Sequence, residues 1–331
     1  VFSAACLLLV AGVSLLFSSP ANMQILKMEL LKNVYVTSTE APVPIYSVTS
    51  PFQHVTILKS KHLGNILMID RQEQVSEKDS LIYHEYLTLP AIAAHANPMR
   101  VLVIGAGDGG VLHQLLKFNF ERIDHVELDK TVVEVSRKYL YSVHRGALDD
   151  YRVNRVYMDG RRYLKERVQE KADAYDIIII DLPDPERIEL SSLYSKEFYD
   201  LVKENLGTGG IMVTQASTPY YYLEAFATIY KTVRAAMPDA LAYVVPTPSM
   251  GTTGYIIASK DGSVDLTTVN NNVQAIDGKW YSTKTHASIF TLPKFLHDYF
   301  SSNQLPINTD EKPILHVLMQ PAYFFKGVAD F

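Results

Sequence analysis

Cysteine is nearly absent from this chain, with Cys6 its single example, and that excludes both a disulfide framework and a cysteine-based metal site. The histidines are scattered without H-E-x-x-H or similar spacing, so the sequence predicts no metal. No long basic run offsets a net charge of −5, which argues against nucleic acid as a partner, because a phosphate backbone is bound mainly by cations. Internal repeats and low-complexity tracts are missing as well. What remains is a chain of 331 residues, 47% of them apolar, enough to bury a full core and a smaller accessory domain.

The strongest pattern runs from Met99 to Asp184. A short run of β-formers, Val101 to Ile104, breaks into glycines at 105, 107, 109 and 110, and Val111 to Phe118 then reads as a helix. Glycines suit such a strand–turn–helix junction because the backbone takes unusual dihedrals there and a ligand can approach the main chain. The pattern repeats, each time with an acid after an apolar strand: Ile123–Val126 leads to Glu127 and Asp129, Arg155–Met158 to Asp159, and Ile177–Ile180 to Asp181 and Asp184. Helices are expected between them at Lys130–Tyr139 and Arg161–Gln169. Apolar strands alternating with helices predict an α/β fold, a doubly wound Rossmann-like sheet of the class I methyltransferase type. The carboxyl ends of such strands line one crevice, where Asp108, Glu127, Asp159, Asp181 and Asp184 should converge.

Each piece has a plainer reading beside this one. Gly105, Gly107 and Gly110 satisfy G-x-G-x-x-G, which by itself marks only a turn, although Glu127 about twenty residues on suits a ribose. Asp159 reads equally as a helix N-cap. Asp181 and Asp184 flank Pro183 and precede Pro185, so a stiff loop holds two carboxylates near each other.

The run GAGDGG, then VELD, MDG and IIIIDLPDP, resembles the spermidine synthase (polyamine aminopropyltransferase) family, whose usual forms are GGGDGG, an acid pair, DG or DA, and D-x-x-D-P. SPFQHVTIL is similar to the family's first hairpin. LMIDRQEQVSEKDSLIYHEYLTLPAI is similar to its L-x-L-D-G-x-x-Q…Y-H-E segment, and THASIFTLP to its H-x-x-x-F-x-L-P. The resemblance spans about Ser50 to Pro293.

It implies a reaction and a set of roles. The aminopropyl group of decarboxylated S-adenosylmethionine, a co-substrate and not a tightly bound cofactor, would pass to a diamine such as putrescine, giving spermidine and methylthioadenosine. Asp181 would be the catalytic base with Tyr83 beside the reacting amine; Asp184, Gln74, His84 and Gln215 would bind the acceptor. Gln53, Gly105, Gly107, Asp108, Glu127, Asp159 and Gly160 would bind the donor, with Glu127 on the ribose, Asp159 on the adenine amino group and Asp108 on the aminopropyl ammonium. Both substrates are cations, which suits a crevice of carboxylates. Where relatives have P-T-Y-P-S-G, this chain has Pro246-Thr-Pro-Ser-Met-Gly251 without the tyrosine, which leaves the acceptor open. The family commonly forms homodimers.

Upstream, Val34–Thr37, Ile45–Val48, His54–Leu58 and Asn65–Ile69 predict a small β domain over 33–78, and Ser80–His95 a helix into the catalytic domain at 79–300, with 301–331 as a tail. After Asp184 the expected order is a helix at Leu193–Asn205 ended by Gly207, Gly209 and Gly210, a strand at Ile211–Gln215, a helix at Tyr222–Met237, and an antiparallel pair at Ala240–Val245 and Gly254–Ser259. Tyr220, Tyr221 and Tyr222 suit a pocket wall or ordinary packing. Val1–Phe17 is apolar or small throughout and reads as the end of a transmembrane helix within 1–24, with a secretory signal or a buried helix as alternatives. Lys27 and Lys32 then favour a cytoplasmic catalytic part on a cell membrane, and a bacterial membrane-associated branch of the family typically carries DLPDP. Three other functions share the fold: an S-adenosylmethionine-dependent methyltransferase, an NAD-dependent dehydrogenase and a non-catalytic nucleoside-binding sensor.

Overall fold

The computed structural model of the protein describes residues 41–302 and 304–320. The apolar stretch Val1–Phe17 and the expected strand Val34–Thr37 lie outside the described residues. Among the described residues no helix is long and apolar enough to cross a membrane.

The β domain is a four-stranded antiparallel sheet in the order β1 (Val43–Thr49), β2 (His54–Ser60), β3 (Gly64–Ile69), β4 (Gln72–Ser76). Sequence reading misses β4, because QEQVS offers one large apolar residue and no alternation. Its partner β3 and a two-residue turn decide it instead. The turn residues Asp70 and Arg71 both adopt positive φ, 48° and 70°, as a tight hairpin turn demands. Val55, Ile57, Leu67, Ile69 and Val75 on one face pack against Val132 and Val135 of the catalytic domain, which fixes this sheet over the crevice.

Helix α1 (Ser80–Ala94) leads into a seven-stranded sheet. The chain alternates β5 (Arg100–Gly105), α2 (Gly110–Leu115), β6 (Arg122–Glu127), α3 (Lys130–Tyr139), β7 (Val153–Tyr157), α4 (Gly160–Glu170), β8 (Tyr175–Asp181), α5 (Lys196–Asn205), β9 (Leu206–Gln215) and α6 (Leu223–Ala236). It closes with the hairpin β10 (Leu241–Thr247) and β11 (Gly251–Ser259). The order is β10-β11-β9-β8-β5-β6-β7, parallel from β9 to β7 and antiparallel at β11. Leu102, Ile104, Ile178 and Ile180 enter one core, with Phe198 and Phe226, while Val101, Val103, Ile177 and Ile179 enter the other, with Leu87 and Leu112. Burial on both faces is why these strands read as unbroken apolar runs.

Several boundaries differ from expectation, and three of the differences have a clear physical reason. Strand β7 starts at Val153 and ends at Tyr157; as an edge strand paired only with β6 it tolerates Asn154 and Arg155, so its apolar signal begins late. Strand β9 starts at Leu206, and Gly207, Gly209 and Gly210 lie inside it and do not mark the end of a helix. Its pairing with β8 shifts register between Tyr175 and Ile177, an irregularity that glycines accommodate. The described part of the expected tail packs on the catalytic domain: Leu315, Leu318 and Met319 enter its core, and buried Asn308 donates to the carbonyls of Ser191 (2.8 Å) and Tyr194 (3.0 Å). One buried polar side chain satisfied from several backbone groups leaves no hydrophobic pattern to read.

Candidate active site

The strand order reverses between β5 and β8, so two neighbouring parallel strands send their chains to opposite sides and open a crevice at their carboxyl ends. A cavity of about 820 Å³ occupies it, walled by the sheet below and the β domain above. Gly105 and Asp181 are register partners at its floor. Gly105 has φ 81°, and a Cβ there would lie 2.0 Å from the Asp181 carbonyl oxygen, to which Ala106 N–H donates at 3.0 Å. The first glycine is therefore required by close approach, and it welds the nucleotide-type loop to the acid of the next strand. Burial pushes His125 down to about 4, leaving a neutral imidazole whose Nε2 holds the Gly105 carbonyl at 2.8 Å while Nδ1 accepts from Arg155 at 3.2 Å.

All five expected carboxylates line this cavity, as do Gly105, Gly107 and Gly160. A Cβ on Gly107 would sit 2.9 Å from Glu127 Oε2, so the glycine makes room for that carboxylate. Burial pushes Glu127 up to about 7, with the nearby Asp129 charge adding to it and the Asp129 N–H on Oε1 at 2.9 Å opposing it. Asp129 caps α3 through the Thr131 N–H (2.9 Å). Its other oxygen accepts from Ser50 (2.6 Å) and Gln53 (3.0 Å) of the β domain, which places Gln53 on the wall. Asp159 caps α4 by accepting from Arg162 N–H at 2.7 Å and also lines the cavity.

Asp108 and Asp181 are the buried centre. Asp108 Oδ1 accepts from Gly110 N–H at 2.7 Å, and Oδ2 lies 3.2 Å from His84 Nε2. Burial opposes ionisation of Asp108, but the His84 charge and contact outweigh it and hold the carboxyl below its ordinary range. Asp181 is pushed up to about 6, first by burial and then by the Asp108 charge. The Tyr83 hydroxyl donates to Asp181 Oδ1, and burial together with the Asp181 charge keeps that phenol protonated. Asp184 accepts from Ser217 Oγ at 3.0 Å and faces the Gln215 amide at 3.4 Å.

Two expected substrate ligands are placed differently. His84 is not on the cavity wall; at 1% exposure it lies behind Asp108, because α1 runs beneath the glycine loop and Gly110 leaves space for its ring. Gln215 reaches the wall, but its amide nitrogen donates to the Leu182 carbonyl and Tyr194 hydroxyl, both at 2.6 Å, and its oxygen accepts from Ser217 N–H at 2.7 Å. It braces the Asp181–Asp184 loop from below and has little left for a ligand. Gln74 lines the cavity.

Sequence reading missed Ser217 and Thr218 beyond β9 and Ser249, Met250 and Thr253 of the β10–β11 hairpin, all on the wall. The rule that ligands meet the carboxyl ends of strands pointed to the first two, and the likeness of Pro246–Gly251 to the P-T-Y-P-S-G loop pointed to the place of Ser249 and Met250 without singling them out; Thr253, inside β11, carried no signal. The three tyrosines divide: Tyr221 lines the cavity, Tyr222 is buried in the core, and Tyr220 is partly exposed against Phe295.

This arrangement has relatives. Residues 80–270 match the family described as "Spermine/spermidine synthase domain", and residues 44–77 match "Spermidine synthase tetramerisation domain". A polyamine aminopropyltransferase of Saccharolobus solfataricus is 36% identical over 273 residues, covering 80% of this chain and 89% of that protein. Polyamine aminopropyltransferase 1 of Hyperthermus butylicus is 37% identical over 256 residues, covering 75% and 87%. A solved spermidine synthase in complex with the transition state analogue AdoDATO superposes with a TM-score of 0.69 at 29% identity, covering 78% of this chain and 87% of that one. The spermidine synthase of Thermotoga maritima gives a TM-score of 0.68 at 29% identity with the same coverage. With its sheet order, its crevice of carboxylates and these likenesses, the chain belongs to the spermine/spermidine synthase family of aminopropyltransferases.

Proposed function

We propose that the protein transfers the aminopropyl group of decarboxylated S-adenosylmethionine to a primary diamine such as putrescine, with Asp181 as the proton acceptor. The observation that carries this reading is the buried pair Asp108 and Asp181, two carboxylates that repel each other in a cavity suited to two cations. At an effective dielectric of about 20, each charge pair at ~4 Å is worth about 4 kcal/mol before desolvation is subtracted. Asp108 takes the donor's ammonium, Glu127 its ribose and Asp159 its adenine amino group. The amine nitrogen attacks the carbon bound to sulfur, the carbon–sulfur electrons return to sulfur, and the new ammonium loses a proton to Asp181. The sulfonium is itself the leaving group, so the protein's work is alignment, an effect worth up to about 7–11 kcal/mol. Incubation with this donor and putrescine should yield methylthioadenosine and spermidine by mass spectrometry; absence of methylthioadenosine with any diamine overturns the reading and returns the site to methyl transfer or nucleoside sensing.

The acceptor's far nitrogen falls to Asp184, Thr218 and Ser249. Thr218 and Ser249 are 8% and 2% exposed, both line the cavity, and neither hydroxyl has a hydrogen-bond partner among the described residues. Buried polar groups without partners are costly, so an ammonium that supplies the missing donors is favoured. Thr218→Val and Ser249→Ala should each raise the acceptor KM by about 5–30-fold with little change in kcat. An unchanged acceptor KM in both variants would remove these hydroxyls from the subsite.

Two assignments concern the surroundings. The apolar segment Val1–Phe17 anchors the protein to a cell membrane with the catalytic domain on the cytoplasmic side, in keeping with Lys27 and Lys32 beyond it. Expression of the chain from about Asn33 onward should give a soluble, folded protein; an unfolded product would place the segment in the core. The catalytic domains assemble as homo-oligomers, the homodimer being the smallest form, and sedimentation of the soluble form reads the subunit number.

A further inference from the structure

His84 is buried to 1% exposure, and its Nε2 stands 3.2 Å from Asp108 Oδ2. The ring cannot retreat, because it packs against Gly110 so closely that a Cβ there would lie 2.1 Å from it. It also has an acceptor on each side: the Asp108 carboxylate, and the Ser80 carbonyl one turn back along α1. Neutral imidazole carries one proton, so it would turn a lone pair toward one of those acceptors. The doubly protonated ring donates to the Ser80 carbonyl and holds its charge 3.2 Å from Asp108 Oδ2, an ion pair whose alignment falls short of a hydrogen bond, and the Asp108 charge outweighs burial to raise its titration. Other groups facing it are Asp181 at the end of β8, which also favours the charged ring, His113 of α2, and the edge of Tyr83. Burial pushes His113 down to about 4, so it adds no competing charge near neutrality.

The donor's ammonium needs the same Asp108 carboxylate, which has one oxygen already committed to Gly110 N–H. We infer that His84 is the resident counter-cation of Asp108 and that donor binding exchanges it: the ammonium takes Asp108 Oδ2, and the Nε2 proton leaves to solvent. Charge is conserved, since one cation replaces another beside one carboxylate. His84 is then a positioning residue that keeps Asp108 ionised and oriented in the empty site, and it makes donor affinity rise with pH across its titration. This rests on the donor assignment above.

The test is calorimetry of decarboxylated S-adenosylmethionine alone, without acceptor, in two buffers of different ionisation heat at about pH 6 to 9. Methylthioadenosine, which lacks the ammonium, serves as reference for protons released by Glu127. The donor should release about one proton more than the reference on the acid side of the range, and that excess should vanish in His84→Gln, where the ring cannot be charged. Equal excess in both proteins overturns the exchange and assigns the proton to Asp181. Should His84→Gln fail to fold, nitrogen-15 spectra of histidine-labelled native enzyme decide: His84 should be charged without donor and neutral with it, and an unchanged ring overturns the inference. If the donor fails to bind at all, the donor assignment falls instead, so the two failures are distinguishable.

Discussion

Asp181→Asn should lose about 10²–10⁴-fold in kcat while still binding the donor, because asparagine keeps the shape and the Tyr83 contact but cannot take the amine's proton. The native enzyme should show the matching pH dependence. With Asp181 pushed up to about 6, its carboxyl is protonated below that pH, so kcat/KM should fall about tenfold per unit on the acid side. The same shift has a cost in stability, and its sign is fixed. A folded value above that of an exposed carboxyl means the stabilising contribution is complete below about pH 4 and lost as pH rises through about 6. Asp181→Asn should therefore raise Tm at about pH 8, by up to about 3 kcal/mol in stability. Full turnover in the variant would exclude Asp181 as the base; a lowered Tm would mean that lost activity reflects damage to the fold. Asp184→Asn should instead act mainly on acceptor KM, and because the two carboxylates share one loop their effects need not add.

Asp108→Asn should nearly erase the enzyme's choice of donor. In the native protein the Asp108 carboxylate attracts the aminopropyl ammonium and repels the extra carboxylate of S-adenosylmethionine, so the decarboxylated form should bind at least about 10²-fold more tightly. Asparagine keeps the acceptor for Gly110 N–H, so the loop stays in place and only the charge is lost. Affinity for the decarboxylated donor should fall by about 10²-fold while that for S-adenosylmethionine changes little. Glu127→Gln should weaken both donors alike, since both carry the ribose. Titration of the two donors into the three proteins reads all of this. Equal affinity of the native protein for both donors would favour the methyltransferase reading.

Much of the crevice was legible before any coordinates. A doubly buried parallel strand must be apolar along its length and must end where a ligand can reach, so Val101–Ile104 and Ile177–Ile180 announced that the glycine loop and Asp181 open on one crevice, while the sheet order made Gly105 and Asp181 register partners. Edge and hairpin elements were less visible. Strand β4 and the start of β7 are held by one neighbour and half solvated, so their residues need not be apolar. Ser249 could not be read because a buried hydroxyl without a partner is a property of its surroundings, not of its type.

The sequence by itself therefore determined the chemistry: carboxylates at the ends of successive strands, glycines where the backbone must approach another backbone, and a stiff loop holding two acids. These follow from local rules of strand, turn and charge. The tertiary structure alone decided how those groups share protons and contacts. His84 reads like Tyr83 in the sequence, one residue along the same helix, yet the helix's rotation sends Tyr83 into the cavity on Asp181 and His84 behind the glycine loop on Asp108. Gln215 ends a strand as a ligand should, yet the loop above it engages both ends of its amide. Direction of a side chain and competition for its hydrogen bonds are set by what packs around it, and a linear sequence does not carry that.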